Sequence, residues 1–105
     1  NDKRFIIQQT NDYHSSFCFP IIINNKSLSF RKKLLNLLTK NKIEFRLITG
    51  GCFTEHKYSK HFNFSTYGNL TNSKKAHYFG FFIGNSSRDL KKEILNFYEI
   101  ISKQI

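Results

Sequence analysis

Arg46-Leu-Ile-Thr-Gly-Gly-Cys-Phe53 is the stretch whose reading decides the fold. Ile43, Phe45 and Leu47 alternate with Glu44, Arg46 and Ile48, the period-two signature of a strand with one face on a core. Arg46 then points away from that core. Gly50-Gly51 ends the strand in a turn that tolerates positive φ and lets backbone approach a neighbour closely. Two further corners follow in order, Gly68-Asn69 within Tyr67-Gly-Asn-Leu-Thr-Asn-Ser73 and Gly84-Asn85 after Phe81-Phe-Ile83.

Outward from this stretch the remaining elements fall into place. On the N-terminal side, Ser27 is placed to cap a helix from Leu28 to Lys40, with Phe30, Leu34, Leu37 and Leu38 forming one apolar stripe. Arg31, Lys32, Lys33 and Lys40 fall mostly off that stripe, on a solvated face, and Asn41 suits a left-handed C-cap. Before the helix, Phe17-Cys-Phe-Pro-Ile-Ile-Ile23 is a continuous apolar run of strand length, ended by Asn24-Asn25. Pro20 marks an edge position or a bulge there, because it cannot donate to a ladder. Phe5-Ile-Ile7 and the polar stretch from Gln8 to Ser16 read as a connection into the domain, so residues 1–16 are expected to be a linker and 17–105 the domain.

On the C-terminal side, residues 52–71 form a long polar and aromatic loop, which in a compact domain signals function, disorder or contact with a missing neighbour. We expect its rings, Phe53, Tyr58, Phe62, Phe64 and Tyr67, to be exposed in this chain alone. Asn72 to Tyr78 suit a short helix and Phe79 to Ile83 a buried strand. Ser87 and Asp89 open a last helix whose stripe is Leu90, Ile94, Phe97, Tyr98 and Ile101. Strand, helix, strand, loop, strand, helix implies an α/β (α+β) domain: a small, mostly antiparallel sheet with helices on one face.

Composition bounds the rest. A chain of 105 residues has room for one core, and 39% hydrophobic content with twelve Phe and five Tyr is ample to fill it. No run of about 18 apolar residues spans a membrane, and Asn1 opens no signal-peptide pattern, so a cytoplasmic setting is expected. The chain contains no Met, even at its first position, which we read as excision from a longer polypeptide. Cys18 and Cys52 fit neither a zinc site nor a disulfide framework, and His14, His56, His61 and His77 are too scattered for a ligand set. The net charge of +10 implies attraction to anions, whether phosphate-bearing substrates or nucleic acid, or a compositional bias alone. No catalytic set assembles by spacing: there is no GxSxG elbow, no paired carboxylates and no phosphate loop.

Taken in order, Phe17-Cys-Phe-Pro-Ile21, the strand ending at Arg46, the Gly50-Gly51 turn, Gly68-Asn-Leu-Thr-Asn72 and Ile83-Gly-Asn85 resemble the C-terminal small domain of the vitamin-B6-dependent nucleotide-sugar aminotransferase and dehydratase family. The resemblance runs from Ser16 to Ile101, and Gly-Asn-Leu-Thr-Asn leans toward the branch of 3-dehydratases acting on 4-keto-6-deoxy sugars. It implies pyridoxal phosphate as cofactor, held on a large domain of the same polypeptide by a lysine or histidine that this chain lacks. It further implies a nucleotide-sugar substrate, a homodimer, a place in lipopolysaccharide sugar synthesis, and no activity for this piece alone. Arg46 is the expected substrate-facing group, with a planar fork suited to carboxylate or phosphate; strand alternation equally allows an exposed arginine or one paired with an acid. Gly50, Gly51 and Asn69 are the further substrate-binding candidates. Cys52 stands where relatives often carry Asn, which departs from the family pattern. Two other readings stay open: a basic α/β nucleic-acid-binding module, of whose aromatic motif Phe79-Gly-Phe-Phe82 is a faint echo, and an interaction domain without a ligand.

Overall fold

The computed structural model describes residues 2–10, 13, 15–24 and 26–105; His14 and Asn25, named above, lie outside the described residues. Four strands form one antiparallel sheet in the order β1-β2-β4-β3. They are β1 Phe5–Ile7, β2 Cys18–Ile23, β3 Arg46–Leu47 and β4 Gly80–Gly84. The helices are α1 Leu28–Lys40, α2 Thr71–Phe79 and α3 Lys91–Gln104. The expected small antiparallel sheet with α/β (α+β) connectivity is what the chain forms.

The core follows from strand alternation. Ile21, Ile23 and Phe81 point to one face and are buried with Leu34 and Leu38 of α1 and Ile101 of α3. Leu34 and Leu38 sit one turn apart, so both reach the same patch of sheet. Burying side chains of this size contributes about 1.5–3 kcal/mol each. Helix α1 has the expected bounds: the Ser27 hydroxyl accepts a hydrogen bond from the Phe30 N–H at 3.2 Å, satisfying one of the free donors of the first turn.

Several expectations change. Phe5–Ile7 is not part of a bare connection: it pairs with Ile21–Ile23 as an edge strand, and Phe5 packs on the core. Arg4 pins this strand to the last turn of α3 by donating to the Ile105 carbonyl at 2.8 Å while pairing with Asp2; a cation there suits the helix dipole. The Asp2 carboxyl is held below the usual carboxylate range by the Arg4 guanidinium. Pro20 lies in an internal strand rather than at an edge or bulge, tolerated where β1 has already stopped opposite Ile21.

The left-handed residue after α1 is Lys42 (φ 58°) and not Asn41. Asn41 instead spends its side-chain amide on the Leu37 carbonyl at 2.9 Å, closing the helix end itself. Arg31 sits three residues before Leu34 and seven before Leu38, so it shares their side of α1; its Nε is buried without a partner among the described residues. Strand β3 is two residues long, and Leu47 is half exposed although the alternation sends it to the core. As an edge strand it has only β4 beside it in the sheet. Helix α3 starts at Lys91, not at Ser87. Ser86 Oγ accepts from the Arg88 N–H at 3.3 Å and Asp89 Oδ1 from the Lys91 N–H at 2.9 Å, local turns that keep the chain out of the helix until both are closed.

Candidate functional site

Arg46 shares a register position with Phe82 of β4, so its side chain stands on the sheet face opposite Phe81 and the core. It is exposed and makes no hydrogen bond or ion pair with another described residue, which removes the alternative of a paired acid. The guanidinium borders an open cavity of about 1000 Å³ together with Phe17, Lys42, Thr49 and Phe82. Phe17 stands edge-on to Phe82 at 6.1 Å and is 79% exposed. Two cations and an aromatic edge beside an open cavity can receive an anionic ligand carrying a flat or apolar part.

The Gly50-Gly51 turn is a structural necessity of what it touches. Both glycines have positive φ, 78° and 54°, and a side chain on Gly51 would run into the His77 ring of α2. The next N–H, that of Cys52, donates to His77 Nδ1 at 3.2 Å, so that ring nitrogen acts as the acceptor. His56 turns back and donates from Nε2 to the Gly50 carbonyl at 2.5 Å, its ring edge-on to His77 at 5.1 Å. The turn is therefore locked to the C-terminal end of α2.

Asn69 is elsewhere. Its Oδ1 accepts from the Thr71 N–H at 3.2 Å, helping Leu70 (φ 52°) turn the chain into α2. His77 lies six residues beyond Thr71, about 9 Å along the helix. The four candidate residues thus separate: Arg46 stands on β3 opposite Phe82, Gly50 and Gly51 turn at the C-terminal end of α2, and Asn69 lies at its start.

A further group belongs to this region and was not singled out from the sequence. Glu55, in a short 3₁₀ turn over Phe53–Glu55, accepts from the Tyr78 hydroxyl and pairs with Lys74 at 3.1 Å. The Tyr78 hydrogen bond, then Lys74, hold the Glu55 carboxyl below the usual carboxylate range, and Glu55 raises the Tyr78 phenol. The available signal was the spacing of Lys74, His77 and Tyr78 at i, i+3 and i+4, one face of a helix. A loop residue such as Glu55 carries no periodicity that could announce its partners.

The loop around and beyond Glu55 shows its aromatics to solvent: Phe53 49%, Tyr58 62%, Phe62 60%, Phe64 45% and Tyr67 97% exposed. Phe53 stacks edge-on with Phe62 and Phe64 at 5.6 and 5.0 Å, making a patch instead of scattered rings. The chain exposes 8610 Å², against about 6200 Å² for a compact monomer of this length. Among the described residues no group of His, Cys, Asp and Glu is placed to hold a metal ion, and no helix is long and apolar enough to cross a membrane.

No family-level sequence profile matches the chain. Individual proteins do. The chain is 33% identical over 98 residues to the GDP-4-keto-6-deoxy-D-mannose 3-dehydratase of Yersinia pseudotuberculosis, covering 92% of this chain and 25% of that protein. It is 30% identical over 96 residues to the enzyme of the same description from Escherichia coli, at 90% and 25% coverage. The fold agrees: an E. coli GDP-4-keto-6-deoxy-D-mannose-3-dehydratase with bound hydrated PLP superposes with a TM-score of 0.82 at 30% identity, over 95% of this chain and 26% of that one. A variant of the dehydratase ColD with bound GDP-perosamine gives 0.82 at 29% identity. The chain spans about a quarter of the length of the curated relatives it matches. Over nearly all of its length, then, the chain is similar in sequence and in fold to about a quarter of these dehydratases.

Proposed function

We propose that the chain is the C-terminal small domain of a GDP-4-keto-6-deoxy sugar 3-dehydratase and that it forms one wall of the substrate site. The observation that carries this reading is the match of over nine tenths of the chain, in sequence and in fold, to dehydratases of that description. The relatives matched are dehydratases, so removal of the sugar 3-hydroxyl, toward which Gly68-Asn-Leu-Thr-Asn72 already leans, is favoured over transamination. A homodimer and a role in lipopolysaccharide sugar synthesis belong to the same proposal and rest on the resemblance; a cytoplasmic location is proposed with them on the sequence pattern.

Pyridoxal phosphate does not fit a site made by these residues alone. Every described lysine is exposed except Lys75, whose ammonium donates to Asn24 Oδ1 at 2.6 Å. None is therefore desolvated and free in the way a Schiff-base lysine must be. The cofactor is assigned to the rest of the polypeptide. What this domain offers is Arg46 for the phosphates of the nucleotide, with Lys42 beside it and the Phe17–Phe82 edge for a flat group. Gly50 and Gly51 hold that wall in place through His77, and Asn69 sets the start of α2.

The nucleic-acid reading loses its one motif: Phe81 of Phe79-Gly-Phe-Phe82 is fully buried in the core and is not displayed on a sheet face. The test is the whole polypeptide purified with pyridoxal phosphate and supplied with GDP-4-keto-6-deoxy-D-mannose. Release of the 3-hydroxyl with consumption of the sugar is expected. A folded, cofactor-loaded protein that leaves this sugar unchanged refutes the assignment.

A further inference from the structure

The stripe of α3 is only partly used. Ile101 is buried, whereas Ile94 and Tyr98 are each 51% exposed. The N-terminal half of the helix stands off the sheet and leaves a cavity of about 470 Å³ between Phe19 and Ile83 on one side and Ile94 and Phe97 on the other. A neighbouring cavity of about 430 Å³ shares Phe19, Ile94 and Phe97 and continues toward β1. Both volumes fall in the range of about 300–1,000 Å³ typical of small-molecule sites. Apolar walls facing an open space lose the contacts that packing would give them, so a ligand with an apolar body gains by filling it.

Charge narrows the ligand. The chain has seven acids against seventeen lysines and arginines, and its described acids are mostly engaged: Asp2 with Arg4, Glu55 with Lys74, Glu99 with Lys103. Asp89 accepts the Lys91 N–H. Glu44 and Glu93 have no cation within ion-pair distance among the described residues, and both border this cavity. Two unpaired carboxylates at one mouth, in a chain of net charge +10, are complementary to a positive group. Lys42 also borders the mouth, but as a single exposed ammonium on a flexible stem it offsets one carboxylate at most.

We propose that the cavity between α3 and the sheet binds a small organic amine, its apolar body between Ile94, Phe97, Phe19 and Ile83 and its ammonium at Glu44 and Glu93. The apolar part of the site lies on the helical face of the sheet, whereas Lys42, Ile43, Glu44 and Gly84 also border the cavity beside Arg46; the proposal does not depend on the dehydratase reading.

Three probes with similar apolar bodies separate the terms: 2-phenylethylamine, 2-phenylethanol and 3-phenylpropionate, each titrated into the 105-residue chain and into the whole polypeptide while amide and methyl NMR shifts are followed. The amine is expected to bind with shifts centred on Phe19, Ile83, Ile94 and Phe97, about threefold or more tighter than the alcohol, with the acid weakest. The double variant Glu44→Gln, Glu93→Gln removes the preference for the amine and leaves alcohol binding in place. Ile94→Trp, at a half-exposed helix position where folding is retained, fills the space and weakens the amine and the alcohol by about tenfold or more. Absence of amine binding, equal affinities for the three probes, or shifts centred on Arg46 instead of Ile94 overturns the proposal.

Discussion

Two regions of this molecule are held together by different physics. Around β2, β4 and α1 the chain is fixed by burial: Ile21, Ile23, Leu34, Leu38 and Phe81 are each at most 2% exposed. From Gly50 to Leu70 it is fixed by single polar contacts, from Cys52 to His77 and from Glu55 to Tyr78 and Lys74 of α2, and from His56 back to Gly50 within the loop. In the second region only Cys52 is buried, and five aromatic rings face outward. The first region explains why a 105-residue chain folds; the second explains why it looks unfinished. Polar contacts with solvent access contribute little net stability each, so the loop is the part that opens first.

The comparison breaks most visibly in the core. Phe81→Ala removes a fully buried ring that Phe45 meets edge-on at 6.4 Å, and should cost about 3–5 kcal/mol in denaturant unfolding. A loss under about 1 kcal/mol there would mean that the sheet is not the stabilising region. Next in size is Gly51→Ala. A methyl group at φ 54°, driven toward His77, should cost about 1–3 kcal/mol and detach the turn, seen as faster amide exchange at Cys52 while Ile23 and Leu38 keep their protection.

A smaller effect comes from pH. Glu55 has a depressed carboxyl pKa, so its contribution is complete above the ordinary carboxylate value and is lost as pH falls through the folded value. Tyr78 has a raised phenol pKa, so its contribution is complete below the ordinary phenol value and is lost as pH rises through the folded one. NMR titration should therefore show loop resonances around Glu55 and Tyr78 moving at both extremes. Core methyl groups of Leu34 and Ile101 should stay fixed in the acid arm until global unfolding begins. Glu55→Gln should weaken both arms.

These contrasts also mark what the sequence could convey. Helix α1 was legible to the residue because Ser27, the stripe of Leu34 and Leu38, and the polar stretch after Lys40 all agree. Strand β2 was legible as an uninterrupted apolar run. Phe5–Ile7 was not, since three residues carry no period and become a strand only because Ile21–Ile23 lies open beside them. Helix α3 was placed too early because Ser86 and Asp89 close turns of their own, a competition that sequence leaves undecided. The site divides the same way. Arg46 was placed on the correct face by alternation, and the glycine turn by its composition. The link from Cys52, His56 and Glu55 to His77 and Tyr78 joins positions more than twenty residues apart, with nothing local to signal it.

The central claim is that Arg46 and the turn beyond it complete a substrate site that the rest of a larger polypeptide provides. Arg46→Ala should change the stability of the domain by no more than about 0.5 kcal/mol, since the side chain is exposed and unpaired. The decisive measurement is the steady-state kinetics of the whole polypeptide on GDP-4-keto-6-deoxy-D-mannose, with and without that substitution. A KM raised about tenfold or more, at nearly unchanged kcat, is the result expected for a lost charge-assisted contact to the bound nucleotide sugar; an unchanged KM in a folded, active variant would contradict the account.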